Sequence, residues 1–298
     1  MAENPAPRVC DYEGSTYRQD FWQGQGRDYE DRVERIAIRR LLPPAGGRRA
    51  LEIGAGFGRL TDELGGFREV VLLDYSRTML AEARARLGDG GGRLKFVAAD
   101  VYRMPFAPGS FDAATMIRVV HHMADAPAAL WSIRGALAPG GAFVLEFANK
   151  RNLKAMARHA LGRQDWSPYT PEPVEFVELN FDFHPAYMAA ELRAAGFTTG
   201  ARLAVSYFRL GALKRFVPTG ALVALDSALQ RIAPLYSPSV FTLNQAAGSG
   251  PDVVAEPLRF VCPTCGGALR DEGDVLVCAA DGARWALRDG VYDFKESI

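Results

Sequence analysis

The stretch Leu51-Glu52-Ile53-Gly54-Ala55-Gly56-Phe57-Gly58-Arg59 decides how this chain is read. A hydrophobic strand runs into three glycines spaced G-x-G-x-G, and a helix is expected to follow. Glycine lets the backbone turn sharply at a strand end and brings N–H groups against a ligand that any Cβ would push away. A second apolar strand, Val70-Val71-Leu72-Leu73, ends in Asp74, where a carboxylate can accept both hydroxyls of a ribose. A third, Leu94-Lys95-Phe96-Val97-Ala98, runs into Ala99-Asp100-Val101 and places another carboxylate at the same sheet edge, suited to an exocyclic adenine amine. Together they read as a nucleoside-cofactor site on a doubly wound sheet. The G-x-G-x-x-G of nicotinamide enzymes is not met, because Gly58 comes one residue early and position 59 is Arg.

Outward from this stretch, strands are expected near 49–53, 69–74, 94–98, 111–117 and 141–148, alternating with helices. Such alternation implies a parallel sheet with right-handed crossovers and a site at the carboxyl ends of its strands. Four ordered motifs, LEIGAGFG, VVLLDYS, VAADVYRMPFAPGSFD and LAPGGAFVLEF, carry a resemblance to the class I S-adenosylmethionine-dependent methyltransferases. Within that class the resemblance is to the small-molecule group that contains the quinone-biosynthesis enzymes, and it runs over residues 30–246. It implies an α/β fold, a doubly wound, seven-stranded, mostly parallel Rossmann-like sheet whose last strand is antiparallel. It also implies S-adenosylmethionine as cofactor, held by Glu52, Gly54, Ala55, Gly56, Phe57, Gly58, Asp74, Tyr75, Asp100, Val101 and Ile117. Glu52 either orients the cofactor's amino end or answers the dipoles of the turn.

In this family a histidine often stands after the fourth strand, near the methyl group. Either His121 or His122 could be a base for a hydroxyl or amine; the competing reading is that both start the next helix and bond its backbone. The N-P-P-aromatic sequence that serves flat amide or adenine nitrogens is absent after that strand, which argues against adenine-N6 or glutamine methylation.

Composition narrows the class further. An apolar fraction of 48% supports a full core, and Lys+Arg and Asp+Glu both number 35, so no global field steers the chain to nucleic acid or anionic lipid. The N-terminus lacks a basic stretch followed by an apolar run, and no apolar run reaches the length of a membrane span, so a cytoplasmic enzyme is expected. Residues 1–29 form an aromatic arm, 30–246 the methyltransferase domain, 247–257 a linker and 258–298 a small β-rich ribbon. Insertions near 150–184 and 211–235 fall where this fold builds its substrate lid. Trp166, Tyr169, Phe176, Phe181 and Phe183 either point to a small apolar or planar acceptor or form the core of the lid. Lys150, Lys154 and Arg158, spaced as one helix face with Arg151 beside them, are either solvated or a clamp for a phosphate-bearing acceptor such as RNA.

The tail carries Cys262-Pro-Thr-Cys265 and Cys278-Ala-Ala-Asp281, the spacing of two metal-binding knuckles with a carboxylate in the fourth place. Residues 258–298 resemble the small zinc-ribbon activator family that partners RNA and protein methyltransferases. The resemblance implies zinc held by Cys262, Cys265, Cys278 and Asp281, and a role in engaging RNA or a protein partner. The alternative is a ribbon held by Leu269, Leu276, Trp285, Leu287, Tyr292 and Phe294 without metal. Cys10 stands alone and is read as incidental.

Overall fold

The computed structural model describes residues 7–15, 22, 26–248 and 257–298. Most of the expected linker, and residues 1–6, 16–21 and 23–25 of the arm, lie outside the described residues. The first helix, α1 (Asp28–Leu41), turns Tyr29, Val33, Ala37, Ile38 and Leu41 to the interior, with acids in its first turn and arginines in its last. That charge order complements the helix dipole. Then come β1 (Gly47–Ile53), β2 (Phe67–Asp74), α2 (Arg77–Leu87), β3 (Leu94–Ala98), β4 (Phe111–Met116), α3 (Ala126–Ala136) and β5 (Leu137–Ala148). The first insertion holds α4 (Leu153–Ala160) and the hairpin β6 (Val174–Val177) and β7 (Asn180–Asp182). It is followed by α5 (Pro185–Ala194), β8 (Phe197–Val205), α6 (Gly211–Phe216), α7 (Thr219–Ile232) and β9 (Ser239–Ala246). The tail adds β10 (Leu269–Asp271), β11 (Val275–Cys278), β12 (Arg284–Arg288) and β13 (Val291–Asp293).

Seven strands stand in the order β3-β2-β1-β4-β5-β9-β8, with β9 antiparallel to both of its neighbours. The central strands are buried on both faces, as a parallel sheet between two helical layers must be: Val70, Val71, Leu72 and Leu73 are all at most 2% exposed. One core cluster takes Leu51, Ile53 and Val71, and the other takes Ala50, Val70 and Leu72, following the strand alternation.

The structure corrects several expected elements. No α-helix follows the glycine motif; turns lead into one tight helical turn at Thr61–Leu64 before β2 begins at Phe67. Gly56 and Gly58 sit at φ +52° and +75°, off the helical region, and too few residues remain for a longer helix. Helix α4 starts at Leu153 and not at Lys150, because the Asn152 side chain caps it by accepting from the Ala155 N–H at 2.9 Å. Strand β8 stops at Val205 because Ser206 turns to φ +68°.

The tail strands also differ from a free-standing ribbon. They form an antiparallel meander whose last strand, β13, pairs in parallel with β3, Val291 opposite Phe96 and Asp293 opposite Ala98. The sheet is therefore eleven-stranded and unbroken from β10 to β8. Trp285, Phe294, Cys262 and Cys278 belong to the same buried cluster as Leu51 and Ile53. Phe260 joins the two parts, its ring 5.9 Å from that of Phe106 and 5.2 Å from that of Phe294. Among the described residues no helix is long and apolar enough to cross a membrane.

A shared core predicts shared stability. Phe294→Ala should cost the whole chain about 3–5 kcal/mol, as large-to-small core changes do, and calorimetry should show one cooperative transition. Two transitions, with the larger unmoved, would make the tail an independent unit.

Candidate active site

The site is built where β1 and β2 end. At Gly54 the chain turns to φ +66° and passes so close to Val119 that a Cβ would lie 2.2 Å from its Cγ2. The Gly54 and Ala55 N–H groups both donate to the Leu73 carbonyl, at 2.8 and 3.1 Å, which ties the turn to the end of β2. Asp74 completes the tie: its Oδ2 accepts from the Gly56 N–H at 2.7 Å and its Oδ1 from the Ser76 N–H at 2.9 Å. Burial raises the Asp74 carboxyl above its ordinary pKa, against the opposing effect of these N–H groups. Ser76 then caps α2, accepting from the Met79 N–H.

A pocket opens above this turn. Glu52, Gly54, Ala55, Gly56, Phe57 and Asp74 line it on the turn side, and Tyr75, Val101 and Ile117 line it further along the strand ends. Gly58 is not among the lining residues; a Cβ there would meet Leu87 at 2.7 Å, so it serves the packing of α2 behind the turn. Asp100 lies between Ala99 and Val101, which do line the pocket, and its Oδ1 accepts from the Tyr102 N–H at 2.9 Å. Glu52 is buried and accepts from the Thr61 hydroxyl at 2.6 Å; burial pushes its carboxyl up to about 7 despite that bond and the nearby Arg59 and Arg86.

The two histidines part company. His122 lines the pocket, and His121 does not. The His122 Nδ1 lies 2.9 Å from the Leu179 carbonyl oxygen in the β6–β7 turn, and its Nε2 lies 3.3 Å from the Tyr12 hydroxyl. A carbonyl only accepts, so Nδ1 carries the proton and Nε2 of the neutral ring is an acceptor. Burial lowers the His122 pKa, partly offset by the Leu179 carbonyl. The His121 ring sits 4.1 Å from that of His122, its pKa driven well down by burial and by the neighbouring cationic groups. Both residues fall in a tight turn over Val120–His122, in place of the start of an α-helix.

Other lining residues escaped the sequence reading. Arg59 and Arg118 face the pocket together with Trp22, whose ring centre lies 3.7 Å from the Arg59 guanidinium carbon and 5.3 Å from that of Arg118. Beneath them Glu34, wholly buried, accepts from Arg59 Nη2 at 2.8 Å and Arg118 Nε at 2.7 Å. Burial alone would raise Glu34, but the two guanidiniums hold it down to about 2. Arg118 also adopts φ +60°, its N–H held by Glu146 Oε2 at 2.8 Å, a conformation that non-glycine residues keep only where surroundings enforce it. A signal existed: Glu34 and Glu30 stand four and eight residues before Ile38, in line with the apolar stripe of α1. Cys10 also lines the pocket, and burial raises its thiol pKa.

The first insertion reaches this site through Leu179, whereas α7 packs along α1 and β8, with the Tyr29 hydroxyl donating to Asp226 Oδ2 at 2.6 Å. Lys150 is 2% exposed and donates to the Thr170 carbonyl, the Thr170 hydroxyl and the Glu172 carbonyl, so it organises a loop and does not face a phosphate. Phe183 is likewise a core residue, stacked between Phe181 and Tyr187.

In the tail, the ligand atoms of Cys262, Cys265, Cys278 and Asp281 lie within 4.8 Å of one another. A Cβ at Gly267 would come within 3.1 Å of both the Cys265 and Cys278 sulfurs, so only glycine leaves that cradle open. Backbone N–H groups of Gly267 and Ala280 point at those sulfurs at 3.4 Å, as they do where a thiolate carries charge.

Known proteins agree with this geometry. The sequence profile of the family described as "Methyltransferase domain" matches residues 51–145. The demethylmenaquinone methyltransferase of Beutenbergia cavernae is 37% identical over 231 residues, 74% of this chain and 85% of that protein. That of Parafrankia sp. is 31% identical over 200 residues, 56% of this chain and 77% of that protein. A chain in the complex between the Haloferax volcanii Trm112 methyltransferase activator and a methyltransferase shares the fold, with TM-score 0.53 and 20% identity over 76% of this chain and 95% of that one. An S-adenosylmethionine-dependent methyltransferase of Mesorhizobium loti shares it with TM-score 0.51 and 24% identity, over 70% and 95%. The chain belongs to the class I S-adenosylmethionine-dependent methyltransferases. It is an enzyme of that class.

Two substitutions test the assignment. Asp74→Ala should weaken binding of the demethylated cofactor by about 1.5–3 kcal/mol, the scale of hydrogen bonds to a charged group. Gly54→Ala should abolish binding, because its Cβ has no space beside Val119. Titration calorimetry showing unchanged affinity in either variant would contradict this placement.

Proposed function

We propose that the enzyme methylates a small, planar, largely apolar acceptor carrying a ring hydroxyl, at the ring carbon beside that hydroxyl. This reading sets a carbon acceptor in place of the expected oxygen or nitrogen, and what supports it is a relative: a ubiquinone/menaquinone biosynthesis C-methyltransferase of Pseudomonas fluorescens is 40% identical over 116 residues, 36% of this chain and 44% of that protein. The single observation that carries the reading is the neutral His122 ring, its acceptor nitrogen turned toward Tyr12 on the wall of a pocket otherwise rich in Ile53, Leu73, Met79 and Phe57.

Gly54, Gly56 and Asp74 are proposed to hold the cofactor's nucleoside, with Glu52, Ala55, Phe57, Tyr75, Val101 and Ile117 around it. Asp100 and Gly58 support from behind. S-adenosylmethionine in that pocket supplies an electrophilic methyl group. His122 Nε2 takes the hydroxyl proton of the acceptor, which raises electron density on the oxygen and on the adjacent ring carbon. That carbon would take the methyl group as the sulfur–methyl bond breaks and leaves S-adenosylhomocysteine; the ring would become aromatic again by giving its C–H proton to solvent while His122 returns its proton to the ring oxygen. His121, outside the lining and without a partner for its buried Nδ1, fills a supporting position behind His122.

The tail is proposed to hold one zinc ion through Cys262, Cys265, Cys278 and Asp281, and to act as this chain's built-in counterpart of a separate activator. The Haloferax neighbour is a methyltransferase complexed with such a protein. Of the basic face behind the RNA reading, Lys150 is buried while Lys154 and Arg158 are exposed. The domain scheme is kept as part of this proposal: arm, methyltransferase domain, linker and a ribbon whose last strand extends the central sheet.

Replacing His122 by Ala should lower kcat about 10²- to 10⁴-fold while leaving cofactor binding intact. The base must be neutral to act, and burial moves its pKa below the usual 6.5. Activity should therefore hold through neutral pH and fall on the acid side, below pH 6.5. A wild-type rate in the variant would end the assignment. Elemental analysis should find about one zinc per chain, lost in Cys262→Ser; a metal-free protein from metal-replete growth would leave the ribbon held by its apolar core.

A further inference from the structure

Lys295 stands just past β13, at the end of the tail, yet its side chain is only 8% exposed. Its Nζ lies 3.5 Å from Asp11 Oδ2 and 3.5 Å from Glu13 Oε2, both on the N-terminal arm. The same ammonium sits 4.0 Å from the centre of the Tyr75 ring, which lines the cofactor pocket next to Asp74. One cation of the tail thus touches both the arm and the wall of the pocket.

The arm is pinned around it. Glu13 accepts from the Arg77 N–H at 2.8 Å and the Thr78 N–H at 3.2 Å, covering the first turn of α2, and the Gly14 N–H donates to Thr78 Oγ1 at 2.9 Å. Arg77 closes the loop of charges by donating from Nη1 to Asp293 Oδ2 at 3.0 Å, while the Lys295 N–H donates to Asp293 Oδ1 at 3.2 Å. From this anchorage the arm runs back across the pocket, which Val9, Cys10 and Tyr12 line, with Tyr12 beside His122. Asp293, at 5% side-chain exposure, lies beyond full solvent screening, whereas Asp11 and Glu13 are 43% and 29% exposed. The cation offsets the repulsion between two arm carboxylates that each lie 3.5 Å from it.

We propose that Lys295 is a positioning residue that latches the N-terminal arm over bound cofactor, so that the tail sets cofactor affinity through a contact independent of any metal. Without it, Asp11 and Glu13 repel each other and the arm loses one of its several holds beside the pocket. Each partly exposed ion pair contributes modestly, so the loss of both should weaken cofactor binding about ten-fold.

The test is titration calorimetry with S-adenosylhomocysteine, and steady-state kinetics, on the full chain and the variants Lys295→Met, Lys295→Arg and Glu13→Gln. The latch predicts that Lys295→Met raises Kd and the KM for S-adenosylmethionine about ten-fold with kcat nearly unchanged, and that Lys295→Arg restores most of the affinity. Glu13→Gln added to Lys295→Met should cost less than it does alone, because the partner is already gone. If Lys295→Met unfolds the tail, hydrogen exchange on the wild-type protein decides: cofactor should protect residues 7–15 and 291–295 together. Wild-type affinity in a folded Lys295→Met, equal losses in the Met and Arg variants, or protection confined to the glycine turn would overturn the proposal.

Discussion

Everything in the catalytic half depends on one short tie, the Gly56 N–H held by the Asp74 carboxylate at 2.7 Å. It joins the turn after β1 to the end of β2, and it works only because the chain at Gly54 and Gly56 takes positive φ. Once the turn is fixed, Gly54, Ala55, Gly56 and Asp74 all line one pocket. A preorganised polar site of this kind loses little entropy when ligand binds. The raised pKa of Asp74 reflects how thoroughly the strand ends shield it from water.

The second constraint is the sheet itself. An isolated parallel strand at a sheet edge exposes a row of unpaired backbone groups. Here β3 would be that edge, and β13 covers it in parallel register. The cover brings Phe260, Trp285 and Phe294 into the main core and carries Lys295 to the pocket wall. The tail is therefore close enough to influence the reaction by packing and charge, without contributing a group to the pocket lining.

The first strands were legible because each rests on a local pattern, apolar runs that end in Gly54, Asp74 or Asp100, whereas the antiparallel last strand came only with the family resemblance. The polar wall of the pocket was less so. Arg59, Arg118 and Glu34 come from three separate elements and meet only in space, and Arg118 needs a backbone angle that no residue pattern announces. Lys150 looked like a surface cation because its spacing to Lys154 and Arg158 fits a helix face. The cap at Asn152 starts the helix later, and Lys150 turns inward to three acceptors of one loop. The tail misled in the opposite direction: its cysteine spacing marked a self-contained module, whereas the register of a three-residue strand against β3 is set by packing that the sequence does not spell out.

The measurement that bears most directly on this account is the fate of a labelled methyl group. Purified enzyme would be given S-adenosylmethionine with an isotopically labelled methyl, a set of ring-hydroxylated quinols lacking one ring methyl, and total RNA, and the label would be located by mass spectrometry and NMR. The account predicts label on a ring carbon adjacent to a hydroxyl, with transfer falling below neutral pH as His122 gains a proton. Label on RNA with none on any quinol, or transfer that is unaffected by acid, would contradict it.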